Sequence, residues 1–203
     1  NGGADTINTG AGDDTVLYYG SEASIDGGTG TNTLTLRASG GITGIDLSGL
    51  AGSDQTAGDN VAVANFQNVD ASIFLASQGI AITGSTGSNI LTGGAGADTF
   101  DGKGGADTIN AGAGADSVAY YGSETLLDAG AGSDILVLRA SGGISSVDFS
   151  VAAGVDQTLS DAVTAINFEN LDAGILATAL TVTGSSAANV ITTGSGNDTI
   201  DGL

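Results

Sequence analysis

Cysteine, proline, histidine, methionine and tryptophan are all absent from the chain, and Arg37, Lys103 and Arg139 are its only basic residues. Each absence excludes something. Without cysteine there is no disulfide framework and no thiolate zinc site. Without histidine or cysteine the commonest catalytic bases and nucleophiles are missing. The few aromatics, four tyrosines and five phenylalanines, make a poor sugar cleft for a carboxylate-pair glycosidase. No enzyme is expected. No apolar run reaches 18 residues, so no transmembrane helix or membrane insertion is expected. With 23 acidic side chains the net charge is −20, which disfavours nucleic acid and anionic membranes as partners and favours cations.

What is present is glycine, 36 residues of it, among Val, Ile, Leu and Thr. At 40% hydrophobic the chain is too apolar for permanent disorder, although losing its counter-cations would bring disorder close. Two periods organise it. The long one is about 100 residues. "ADTINTGAGDDTVLYYGSEASIDGGTGTNTLTLRASGGITGIDLS" (4–48) returns at 106–150, and "TGSTGSNILTGGAGADTFDG" returns near the end as "TGSSAANVITTGSGNDTIDG". The expected organisation is therefore two tandem copies, 1–102 and 103–203, cyclically cut, with both ends reading as cut from a longer array.

The short period is nine. Residues 84–137 divide into GSTGSNILT, GGAGADTFD, GKGGADTIN, AGAGADSVA, YYGSETLLD and AGAGSDILV. The eighth position holds Leu91, Phe100, Ile109, Val118, Leu127 and Leu136, and elsewhere in phase Ile7, Val16, Ile25, Leu34, Ile191 and Ile200. One inward apolar residue between outward small ones describes a three-residue strand. A helix would need a 3.6-residue period and would not tolerate this glycine. Two strands and two turns make a closed 18-residue coil. The reading is an all-β parallel solenoid.

The nonapeptides resemble the repeats-in-toxin (RTX) family motif G-G-x-G-x-D-x-U-x, where U is large and apolar. "GGAGADTFD" (93–101) is the fullest match, and the resemblance covers 1–35, 84–137 and 184–203. It implies a right-handed parallel β-roll that binds several calcium ions between the turns of neighbouring coils. The chemistry agrees with the residues. Calcium takes six to eight hard oxygens in flexible geometry, a glycine-rich hexad can expose backbone carbonyls, and one carboxylate per turn adds charge. A single Asp or Asn in a loop is an ordinary turn former; six nonapeptides in register, five of them with Asp or Asn at the sixth position, are the argument for ligands.

Eighteen residues per coil puts alternate nonapeptides on opposite sides. Asp98, Asp116 and Asp134 share one side, with about two good sites between them. Asn89 and Asp107 share the other, with at most one site, because "YYGSET" has lost its turn glycines. In the first copy Asp14 and Asn32 share a side, while Asp5 faces "YYGSEA". Asp198 lies opposite Asn189 and needs a further coil. The resemblance adds the carbonyls at the second and fourth turn positions: Gly94 and Gly96 with Asp98, Gly112 and Gly114 with Asp116, Gly130 and Gly132 with Asp134.

Residues 36–83 and 138–183 depart from the nonapeptide. Strand-like runs such as "TLTLRA" and "FQNVDASIF" read as longer coils of the same solenoid, the rival being a small β-sandwich inserted between rolls. Arg37 and Arg139 either bridge Asp46 and Asp148, stack on "YYGSE", or stay exposed. "YYGSE" is either a lateral contact patch or a cover over a coil without calcium.

The expected function is a calcium-binding extracellular structural repeat of a long bacterial surface protein, such as an adhesin, S-layer protein or fibre, with neighbouring copies as partners. The resemblance implies type I secretion, with folding once calcium is met outside. The alternative is an auxiliary calcium module of an exported enzyme or toxin. A third reading, an ice- or surface-binding face, rests on Thr6, Thr15, Thr33, Thr99 and Thr108.

Overall fold

The strands of the roll are only two to four residues long because each nonapeptide has a short apolar stretch and then must turn. The computed structural model describes residues 3–203, and among them every regular element is a strand. Ile90–Thr92 pairs in parallel with Thr108–Asn110, which pairs with Leu126–Asp128, each step advancing 18 residues. On the opposite face Thr99–Asp101, Ser117–Tyr120 and Ile135–Leu138 stack at the same interval. The eighth-position residues meet between the two faces, and Leu91, Phe100, Ile109, Val118, Leu127 and Leu136 are all buried. Only the terminal coils fall short of this. Ile7 and Ile191 are partly buried, and Ile200 is 51% exposed where its counterpart Phe100 is 1%.

The long segments are coils of the same solenoid, and there is no inserted sandwich. Asn68–Asp70 lies between Thr33–Leu36 and Ile90–Thr92, and Ala81–Thr83 lies between Gly44–Asp46 and Thr99–Asp101, all parallel. The departure is one antiparallel hairpin per copy, Gly44–Asp46 with Thr56–Ala57 and Ser146–Asp148 with Thr158–Leu159. Each hairpin starts a new sheet. Meanwhile Ala62–Ala64 closes the sheet begun by Thr6–Asn8 and Ser24–Asp26, and the facing sheet runs through. The two copies therefore exchange faces. Thr15–Tyr18 and Thr33–Leu36 belong to the seven-stranded sheet with Ile90–Thr92, whereas their counterparts Ser117–Tyr120 and Ile135–Leu138 belong to the eight-stranded one.

The first tyrosine of each pair packs into the coil. Tyr18 and Tyr120 are fully buried and donate to Asp59 and Asp161, each at 2.7 Å, while Tyr19 stays 41% exposed. Arg37 and Arg139 are exposed, and Lys103 with Asp101 at 2.8 Å is the one ion pair among the described residues. The threonines do not form an unbroken rank: Thr15 meets Thr33, but Thr6 meets Ser24 and Thr108 lies between Ile90 and Leu126.

Candidate metal centre

Stacking coils at an 18-residue interval brings the sixth position of every second turn into one column. In that column each carboxylate receives the backbone N–H of the turn before it. Ile80 donates to Asp98 Oδ1 at 2.8 Å, Asp98 to Asp116 Oδ1 at 2.7 Å, and Asp116 to Asp134 Oδ1 at 2.7 Å. The glycines permit this close approach. Gly112 and Gly114 adopt φ of +105° and +149°, conformations that side chains rarely take. A Cβ on either would run into the carbonyl of Gly94 or Gly96, and one on Gly130 or Gly132 into that of Gly112 or Gly114. Four of the six carbonyls expected as ligands, those of Gly94, Gly96, Gly112 and Gly114, thus lie against the glycine of the next coil. Gly94 O and Gly112 O also accept Ala113 N–H and Ala131 N–H, both at 2.9 Å.

The column has charge that its own donors do not satisfy. Asp98, Asp107, Asp116 and Asp134 are at most 1% exposed. Asp98 Oδ2 accepts from Gly94 N–H at 2.9 Å, but Oδ2 of Asp14, Asp107, Asp116 and Asp134 has no hydrogen-bond partner. Burial pushes the carboxyls of Asp107, Asp116 and Asp134 up to about 6, and that of Asp98 upward too. A buried carboxylate oxygen without a donor is costly. These aspartates close glycine-rich turns, and no basic side chain pairs them. That donor set is all hard oxygen and fits calcium. Among the described residues no three acidic side chains converge, so a cation here would take carboxylate from the turns and its remaining ligands from carbonyls.

The other predicted residues divide by face. Asn89 donates its backbone N–H to Asp107 Oδ1 at 2.8 Å. The next turn closes that column without an aspartate: Glu124 folds back to accept the N–H groups of Tyr121, Gly122 and Ser123. Asp14 donates its backbone N–H to Asn32 Oδ1 at 2.9 Å, in the same face as Asn89 and Asp107. Asp5 is exposed, and its backbone carbonyl accepts from Ala23 N–H. Asp198 accepts from Leu180 N–H at 2.9 Å, repeating the Ile80–Asp98 contact. The sequence reading missed Glu22 and Glu124 as turn closers, and it missed Gln67 and Glu169, which continue the columns from the long segments. The matching "NFQN" and "NFEN" were the only signal for the last two.

The family model for the RTX calcium-binding nonapeptide repeat matches four copies, at residues 1–17, 83–118 and 181–203. The chain carries RTX repeats. RTX repeats are calcium-binding structural elements, and the hard-oxygen donors beside the buried carboxylates fit that ion. The matched RTX stretches include Asp5, Asp14, Asn89, Asp98, Asp107, Asp116 and Asp198; Asn32 and Asp134 lie outside them but keep the 18-residue register. No curated protein matches the chain.

Proposed function

We propose that the chain is a calcium-folded structural repeat of a long bacterial surface protein, exported unfolded and locked into a rigid solenoid by extracellular calcium at Asp98, Asp107, Asp116 and Asp134 and, in the first copy, at Asp14. The solenoid's continuity carries this reading. Both long segments are built into the stack, and the sheets pass from one copy to the next without a linker. A module that only accompanies an enzyme has no need of such a joint; an array that bears load along its length does.

The ends match the interior. Residues 184–203 repeat 84–103, and the first nonapeptides repeat those after 103. Inside the chain these meet through Ile90↔Thr108 and the Asn89–Asp107 hydrogen bond. The same pairing between two separate chains would set Ile191–Thr192 of one against Thr6–Asn8 of the other.

Far-UV circular dichroism from EGTA into calcium, with magnesium as control, tests the folding step. A cooperative gain of β signal at roughly 0.1 to 1 mM calcium is expected for extracellular sites. Sedimentation of the calcium-loaded chain tests the array. Concentration-dependent end-to-end association is expected; a strict monomer at high concentration would favour the auxiliary-module reading.

A further inference from the structure

The column of acids does not stop at Asp134. Its backbone N–H donates to Glu169 Oε2 at 2.8 Å, so a glutamate from the long segment stands where the next turn's aspartate would be. The first copy makes the same joint from amides. Asn32 N–H donates to Gln67 Oε1 at 2.7 Å, and Asn32 Nδ2 donates to the carbonyl of Asn65 at 3.1 Å. That joint satisfies itself.

The backbone around the two joints is the same. Asn65 and Asn167 both adopt φ of 64°, and their side chains donate to Asp26 and Asp128 at 2.7 Å. Only the chemistry differs: Asp134 replaces Asn32, and Glu169 replaces Gln67. Where the first copy has an amide donor reaching a carbonyl, the second has Asp134 Oδ2, fully buried and without a partner. A second carboxylate stands beside it, and no basic side chain pairs either one. Glu169 also lines a cleft of about 310 Å³ together with Gly130 of the Asp134 turn, Asn167 and Ser185.

We propose that Asp134 and Glu169 hold a calcium ion of their own at the joint between roll and long coil in the second copy, whereas the Asn32–Gln67 joint is ion-free. The proposal rests on the calcium reading of the aspartate column. It makes one joint per pair of copies dependent on calcium and leaves the other closed by hydrogen bonds.

Calcium stoichiometry of the full chain, measured by titration calorimetry with circular dichroism as the folding control, tests it. Glu169→Gln is expected to bind one ion fewer than the parent while keeping the calcium-induced β signal. Unchanged stoichiometry and affinity in Glu169→Gln would overturn the proposal and leave the column reading intact. A parent chain that binds no calcium would overturn both. If Glu169→Gln does not fold in calcium, the reciprocal variant Asn32→Asp/Gln67→Glu decides: one ion more than the parent supports the proposal, and no gain overturns it.

Discussion

Asp116 donates its backbone N–H to Asp134 Oδ1 at 2.7 Å across 18 residues, and the carboxylate that accepts it leaves its other oxygen buried and unpartnered. On the proposed calcium reading one side chain has two separable tasks, holding the next coil and presenting charge to a cation. Asn keeps the acceptor and removes the charge; Ala removes both. Asp134→Asn should therefore still fold, with a calcium midpoint shifted to higher concentration. Asp134→Ala should lose a further ~1–3 kcal/mol, the cost of leaving the buried Asp116 N–H without its acceptor. Calcium titrations followed by urea melts at saturating calcium separate the two. Equal stability of the Asn and Ala variants in saturating calcium would remove the ladder role.

The glycines of the column are tested by position. Gly132 packs its α-carbon on the Gly114 carbonyl, so Gly132→Ala forces two coils apart and should cost about 1–3 kcal/mol or more by overpacking. Gly104 has nothing within 4 Å of where a Cβ would stand, and Gly104→Ala should stay within about 0.5 kcal/mol of the parent. Denaturant midpoints in calcium compare them directly. Equal effects would mean that close coil contact is not what selects glycine.

The roll was legible in the sequence because its period is strict. A large apolar residue every ninth position fixes which side chain points inward, and Leu91 to Leu136 are all buried where that rule puts them. The parallel stack and the two faces follow from the same count. Glu169 was not legible, since it reaches Asp134 across 35 residues through a segment with no nonapeptide register. Nor was the exchange of faces between copies, which depends on a hairpin that starts one sheet while Ala62–Ala64 ends another. Glu124 was hidden for a different reason. Its carboxylate bonds the N–H groups of its own turn, a local closure that no spacing announces.

The first tyrosine of each pair carries more than its ring. Tyr18 donates to Asp59 at 2.7 Å from a fully buried site, and burial together with that carboxylate holds its hydroxyl protonated far above the ordinary tyrosine range. Tyr18→Phe leaves Asp59 without this donor and should cost ~1.5–3 kcal/mol. Tyr19→Phe, on an exposed neighbour, should change stability by less than about 0.5 kcal/mol. Thermal melts in calcium of the two single variants settle it, and parity between them would reduce Tyr18 to a packing residue.

Acid should stabilise the calcium-free roll. Burial raises Asp107, Asp116 and Asp134 to about 6 in the folded chain, against about 3.9 for a free aspartate. Between those values the folded state holds protons that the unfolded state has released. Their contribution is therefore fully present below pH of about 4 and lost as pH rises through about 6. In EGTA, the urea midpoint should be higher near pH 4.5 than near pH 7.5. On the proposed reading calcium needs the same carboxylates deprotonated, so its apparent affinity should run the opposite way and fall as pH drops through about 6. If EGTA leaves the chain unfolded at both values, the calcium midpoint alone carries the test. A midpoint that does not move between them would mean that these aspartates ionise as if exposed, and that burial is not what poises them for the ion.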